Sequence, residues 1–323
     1  MTKKLAARNV AAKFAFTMAE ILLSLTIIGV VAAITLPSLI GNINERAWNT
    51  QRKALHARMA QAIAMMPYLN GYGTFTTSED GTVIQDTAAM TFVTEGLAKV
   101  LKINNVCDST KLADCGIATS YTDMAGTQKT MASNMFGWNS TFKDFGSAKY
   151  DTKAAAFETV NGESIVVYYN PYCQSNKWDG NTTQSYSEYA QQYMCANFVY
   201  DLNGAKGPNQ VGKDMGFITA IYADDSDVVS PYFPIQASND GTAKFADGAA
   251  AKICRDKGEE YRLPNLSEGM AMSYNKDFLG LSYVGYWTGN AVGLNHAWYL
   301  GLYDGQRGIE PINSTVHVRC VKR

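Results

Sequence analysis

Charge is scarce in this chain of 323 residues: Lys, Arg, Asp and Glu supply 18% of it, hydrophobic residues 46%, and the formal net charge is −1. No basic run occurs beyond Lys13, so the sequence lacks the cationic surface that nucleic-acid binding needs. Histidine is scarcer still, with three in all, and their spacing to the cysteines does not fit zinc ligation. No C-x-x-C pair is present either. The sequence also lacks H-E-x-x-H, G-x-S-x-G and any Cys/His pair in a known nucleophile motif, so it is not expected to be an enzyme. Gly207-x-x-x-x-Gly212-Lys213 imitates a phosphate loop, but Asp214 stands where Ser or Thr would hold Mg²⁺. Pro208 removes one cradle N–H, and a strand is expected to follow in place of a helix. Nucleotide binding is excluded on those grounds.

Acid is absent ahead of Glu20, whereas Lys3, Lys4, Arg8 and Lys13 all precede it. Twenty uncharged residues follow, Ile21 to Ile40, and up to Leu36 only Ser24, Thr26 and Thr35 among them are polar. That run has about the length of a membrane-crossing helix, and the cations before it favour a cytoplasmic N-terminus. A carboxylate costs roughly 2.5–3.5 kcal/mol at the centre of a span and normally has a partner. A signal peptide ending near Ala32-Ala33, or a plain anchor, would account for the apolar run. Neither accounts for Glu20.

The stretch Lys13-Phe14-Ala15-Phe16-Thr17-Met18-Ala19-Glu20, with the apolar run behind it, resembles the N-terminus of type IV pilins and type II secretion pseudopilins. The resemblance implies a cut by prepilin peptidase between Ala15 and Phe16 and N-methylation of Phe16. Glu20 then becomes the fifth mature residue, paired with the free amine of a neighbouring subunit's Phe16. Pro37 falls where many pilins bend their helix. The family usually has Gly before the cut, and this chain has Ala15. Losing residues 1–15 removes four cations and takes the net charge from −1 to about −5.

Past Ile40, Ala47, Ala54, Leu55, Met59, Ala62, Ile63 and Met66 recur at helical spacing, with Glu45, Asn49, Arg52, Lys53 and His56 on the other face. A single helix over 16–66 is expected, roughly 75 Å long at 1.5 Å per residue. Pro67 and Gly71-Tyr72-Gly73 end it. A second helix is expected over Thr87–Ile103, exposed hairpins and loops over Thr119–Gly146, and strands at 162–169, from Asn197 up to the long turn, and at 215–222. Residues 170–190 read as a Tyr- and Asn-rich loop. Cys107, Cys115, Cys173, Cys195, Cys254 and Cys320 are even in number behind an export signal, which points to disulfides. Fifteen pairings are possible. The local set 107–115, 173–195 and 254–320 is the expectation.

The run from Asp201 to Asp214, D-x-N-G-x-K-G-P-N-x-x-G-x-D, reads as the turn between two strands and looks like a turn of pilin-like heads. Asp201, Asn203 and Asp214 can offer oxygens to Ca²⁺. No Glu follows at EF-hand spacing, and a turn held by Asx hydrogen bonds is the other reading. No further cofactor is expected.

From Gly241 the character changes. A helix is expected over Lys244–Lys257 with Gly258 as its stop, then Tyr261-Arg262-Leu263-Pro264, and a capping box from Asn265 and Glu268. Strands are expected at 286–288, 296–303 and 315–321. Cys254, Tyr261 to Pro264, Glu268, Tyr286-Trp287 and Val318-Arg319-Cys320-Val321 resemble anchors of a bacterial C-type-lectin-like domain. That resemblance implies a core of Trp287, Trp298 and the Cys254–Cys320 bridge, with Arg262 a buried partner. No E-P-N or W-N-D sugar signature accompanies it.

The expected fold is α+β: a long helix over 16–66 whose first half, 21–40, crosses a membrane, packed on an antiparallel-sheet head (67–240), with a lectin-like subdomain (241–323). The expected function is a structural subunit, a minor pilin, of a type IV pilus-like filament with a head suited to adhesion. A pseudopilin of a type II secretion system is the first alternative, and an anchored surface-binding protein that never polymerises the second. Expected partners are prepilin peptidase, other pilin or pseudopilin subunits, the inner membrane and a glycan or surface ligand. The expected location is a single pass of the inner membrane before assembly, with the head periplasmic or extracellular.

Overall fold

The computed structural model describes residues 18–65, 89–108, 111–131, 154–169, 194–221, 241–282, 284–302 and 307–322. It divides into two compact units, Met1–Ala47 and Trp48–Arg323. Helix α1 runs continuously over Met18–Met65. Its first part is built mainly from Leu, Ile, Val and Ala. The hydroxyls of Thr26 and Thr35 turn back onto the carbonyls of Leu22 and Val31, at 2.7 and 2.9 Å, which satisfies them within the helix.

The second unit is organised by a five-stranded antiparallel sheet in the order β1-β4-β5-β6-β7, formed by Ile103–Asp108, Ala154–Thr159, Ser164–Tyr169, Met194–Asp201 and Met215–Ile221. A small hairpin, β2 (Ser120–Thr122) with β3 (Gln128–Thr130), precedes β4 in the chain. Central strand β5, Ser-Ile-Val-Val-Tyr-Tyr, is buried at every position because both faces of the sheet are covered. Successive side chains point to opposite faces. One face carries Phe157, Ile165, Val167, Phe198 and Tyr200, packed with Leu55, Met59, Ala62 and Ile63 of α1 and with Phe92, Val93 and Leu97 of α2. Helix α2 is made of three consecutive pieces, Ala89–Thr91, the π-helical Phe92–Leu97 and Ala98–Val100. The other face carries Ala156, Val166, Tyr168 and Val199, packed with Tyr121 and Met124 and with Met270, Ala271 and Phe278 from the C-terminal part.

That C-terminal part holds a second five-stranded sheet, β12-β11-β10-β13-β8, from Arg307–Pro311, His296–Gly301, Gly285–Val292, Thr315–His317 and Thr242–Lys244. β10 and β13 pair in parallel, the other neighbours antiparallel. A two-stranded ladder joins β9 (Tyr261–Arg262) to β14 (Val321–Lys322). Three short helices accompany them: α3 (Ala249–Arg255), α4 (Leu266–Tyr274) and α5 (Lys276–Leu279). Trp287 centres a small core with Cys254, Leu263, Val318 and Cys320, and its indole N–H donates to the Ala243 carbonyl at 2.8 Å. A buried polar knot ties the end of α4 to the first sheet. The Asn275 amide bonds Asn197 and Thr219, and the Thr219 hydroxyl donates to Asn197 at 2.6 Å.

The structure corrects several expectations. The fold is α+β and mostly sheet, but its expected membrane-crossing half is withdrawn: among the described residues no helix is long and apolar enough to cross a membrane. The uncharged stretch of α1 with described side chains is Ile21–Thr35, about 22 Å of helix against the roughly 30 Å of a hydrocarbon core. The single-pass inner-membrane location falls with it. The helix expected to reach Ile103 ends at Val100, because Ile103 opens β1 against Thr159. The helix expected from Lys244 starts at Ala249, because Lys244 is taken into β8 opposite Thr315. The hairpin over 120–130 is not simply exposed, since Tyr121, Met124 and Met131 are buried in the core. Trp298 is half-buried, and the buried residues of β11 are Ala297 and Leu300, which pack into different clusters. The Arg262 side chain is about a third exposed, and it is its partner Glu268 that is buried.

Candidate assembly helix and the turn that holds it

The first part of α1 is an apolar surface. Met18 is 80% exposed and Ile34 72%, and Leu22, Leu23, Leu25, Ile27, Ile28, Val30 and Val31 are all more than half exposed. These residues follow one another round the helix, so apolar surface faces every direction instead of forming one stripe. Ala15 and Phe16, the expected processing site, lie outside the described residues. So do the side chains of Glu20 and Pro37, although α1 continues through both positions.

From Trp48 the helix changes character. Arg52, Leu55, Met59, Ala62 and Ile63 recur at helical spacing and are buried, while Gln51, Lys53, Ala57 and Gln61 lie between them and are exposed. Two arginines fasten this part to the ends of sheet strands. Arg58 pairs with Glu163 in the β4–β5 turn, and Glu163 also accepts from the Thr159 hydroxyl. Arg52 reaches the β6–β7 turn, where one guanidinium nitrogen donates to the Gly212 carbonyl at 2.8 Å and to the Lys213 carbonyl at 2.7 Å. Its charge assigns Arg52 to the polar face in the sequence, yet it is 3% exposed. The spacing carries the missed signal: Arg52 stands three residues before Leu55 and seven before Met59, on the same stripe.

The turn itself is built by carboxylates and amides. Fully buried Asp214 takes the Asn209 N–H on Oδ2 and the Gln210 N–H on Oδ1, both at 2.9 Å. Asp201, 2% exposed, accepts the Asn203 N–H on Oδ1 at 3.1 Å. The Asn203 amide donates to the Gly207 carbonyl at 2.8 Å. These are the Asx bonds expected of such a turn. Burial pushes the Asp201 carboxyl up from 3.8 to about 7; the N–H groups of Asn203 and Gly204 oppose the rise, and the neighbouring Asp214 charge adds to it. Strand β7 follows the Gly207–Lys213 segment, in keeping with the exclusion of a phosphate loop.

Of the expected disulfides, Cys107–Cys115 and Cys254–Cys320 are formed. Cys173 lies outside the described residues. The Asn265 capping box is complete: its side chain accepts the Glu268 N–H at 2.7 Å and Glu268 accepts the Asn265 N–H at 2.8 Å. Glu268 also holds Arg262 through two bonds of 2.6 Å. An open pocket of about 310 Å³ lies on the C-terminal part, lined by Phe245, Asp247, Leu263, Leu294 and His296 among others. Among the described residues no three His, Cys, Asp or Glu side chains gather as they would around a metal ion.

No protein-family model matches this chain, and no curated protein sequence matches it.

Proposed function

We propose that this chain is a non-enzymatic structural subunit that assembles into a filament of the type IV pilus kind through α1, after processing by prepilin peptidase between Ala15 and Phe16. The observation that carries the reading is the apolar surface of α1 from Met18 to Ile34, exposed on all sides. A helix of that composition has to be buried, and helices of the same kind from other copies would bury it by side-chain interdigitation. At about 25 cal/mol per Å² of apolar area, covering several such side chains supplies a large driving force for association.

A second support is the stripe from Arg52 to Ile63, which fixes the following part of the helix against the sheet. Subunits joined through α1 would then carry their heads with them. Glu20 is assigned to pairing with the free amine of a neighbouring Phe16, so that a buried carboxylate meets a buried ammonium.

Assembly is tested with Glu20→Ala in the full chain, together with mass spectrometry of the mature N-terminus. The expected results are an N-methylated Phe16 in the wild type and loss of sedimentable filaments in Glu20→Ala with an unchanged melting temperature. Wild-type levels of filament in Glu20→Ala would overturn the reading.

A further inference from the structure

The turn between β4 and β5 carries an Asn-Gly pair, Asn161-Gly162. The turn runs from Thr159 to Gly162, and the Gly162 N–H closes it by donating to the Thr159 carbonyl at 2.9 Å. Gly162 is left-handed, with φ +83°, a conformation that a residue with a side chain adopts only under strain. Asn161 is exposed, and a Cβ built on Gly162 would meet nothing within 4 Å beyond its chain neighbours. Space is therefore open around the Gly162 nitrogen, the main-chain atom on which the Asn161 side chain can close. Asparagine is among the chemically labile residues, and this is the reaction that makes it so.

Another Asn-Gly pair among the described residues, Asn203-Gly204, is built to resist the same closure. Asn203 is half-buried, its side-chain amide donates to the Gly207 carbonyl at 2.8 Å, and the Gly204 N–H is held by the Asp201 carboxylate. The group to be attacked and the nitrogen that would attack are both restrained. Around Gly204 the space is filled as well, with the Ser164 hydroxyl 3.2 Å and the Gly116 carbonyl 3.3 Å from where a Cβ would sit. Asn161 shares only the restraint on nitrogen, the Gly162 bond, and that bond lies in an exposed turn where local opening costs little. The neighbour of this pair gives the site its consequence. Buried Glu163 follows directly, holds Arg58 of α1 and the Thr159 hydroxyl, and accepts the Thr159 N–H on its main-chain carbonyl at 2.9 Å.

We propose that Asn161 is a site of spontaneous deamidation, and that its product loosens the grip of Glu163 on α1. The Gly162 nitrogen gives its proton to solvent base and forms a bond to the side-chain amide carbon of Asn161. The carbon–nitrogen bond of that amide breaks, ammonia leaves, and a cyclic imide remains. One water then opens the imide. Opening at the side-chain carbonyl gives Asp, and opening at the main-chain carbonyl gives isoaspartate, whose backbone runs through the side chain and is one methylene longer. The balance is one water taken up and one ammonia released, with no oxidant or reductant. Either product adds a negative charge close to Glu163. The longer backbone also upsets the spacing from Thr159 to Glu163 on which both turn bonds depend. The site belongs to the sheet and its turn, and it stands whether or not the chain polymerises.

The test ages the full chain in mild detergent at mildly alkaline pH and follows each Asn-Gly pair by peptide mass mapping, with isoaspartate read by enzymatic methylation. In the folded protein Asn161 is expected to convert at least tenfold faster than Asn203, whereas in denaturant the two should convert alike. Isoaspartate is expected among the products at Asn161. The aged wild type should melt lower than the fresh protein, and Asn161→Gln aged in parallel should keep its melting temperature. Arg58→Met, which lacks the fastening, should lose less on ageing than the wild type. An intact Asn161 in the aged fold, or conversion no faster than at Asn203, would overturn the site. Conversion without isoaspartate, an unmoved melting temperature, or an equal fall in Arg58→Met would overturn the loosening. The wild-type map locates the reaction even if a variant folds poorly.

Discussion

Between Met18 and Ile34, helix α1 is apolar in every direction and exposed. Between Trp48 and Met65 the same helix is striped, and its apolar side is consumed within its own unit by Phe157, Val167 and Phe198. On the proposed function, the first part of the helix works between chains and the second within its own unit. Substitutions in the first should change association and leave folding alone, and those in the second should do the reverse.

The sharpest way to break that comparison is charge in the first part. The double substitution Leu22→Asp with Leu25→Asp would bury unpaired carboxylates in any helix–helix contact, at several kcal/mol each. Assembly is expected to fall by about a thousandfold or more, read by sedimentation, with the melting temperature unmoved. In the second part, Met59→Ala and Leu55→Ala each remove a fully buried side chain and are expected to cost about 2–5 kcal/mol in denaturant unfolding. If either destabilised the head by less than about 1 kcal/mol, the striped part would not be core.

The turn gripped by Arg52 adds a pH dependence that the first part should not share. The folded state keeps a proton on Asp201 between pH 3.8 and about 7 that the unfolded state has lost. This contribution is complete below pH 3.8 and is lost as pH rises through about 7, on the order of 2–4 kcal/mol in all. Asp201→Asn is expected to flatten that slope in melts taken from pH 4 to 8. Arg58→Met should cost less, about 1–2 kcal/mol, because the arginine is partly exposed while Glu163 loses its partner. Smallest of all, Thr26→Ala removes an exposed hydroxyl bonded within its helix, and stability should move by less than about 0.5 kcal/mol.

Part of this is legible in the sequence, and the rest is hidden for identifiable reasons. Strand β5 shows itself as a run of β-branched and aromatic residues, and the Asn265 cap by its spacing to Glu268, because both signals are local. Cys107–Cys115 is legible for the same reason of closeness. Strands β8 and β12 are short, and β8 owes its existence to pairing with β13 across a long stretch of chain, which no local pattern announces. The π-helical Phe92–Leu97 is likewise a response to packing, with Phe92 stacked on Tyr169 at 4.2 Å between ring centres. In the candidate site, Asp201 and Asp214 look alike in sequence. Only the path of the turn gives both Asp214 oxygens a main-chain donor and leaves one Asp201 oxygen without any.

The bonds from Arg52 carry a last consequence. They end on the carbonyls of Gly212 and Lys213, so the arginine recognises the course of the backbone and is indifferent to the side chain displayed at Lys213. That position is free to drift, even to a residue of opposite charge, provided the backbone keeps its shape. Asp214 has no such latitude, because its carboxylate is what bends Asn209 and Gln210 into place. A library randomised at both positions should therefore return many residues at Lys213 and almost none but Asp at Asp214, a pattern of tolerance drawn by one guanidinium that reads main chain alone.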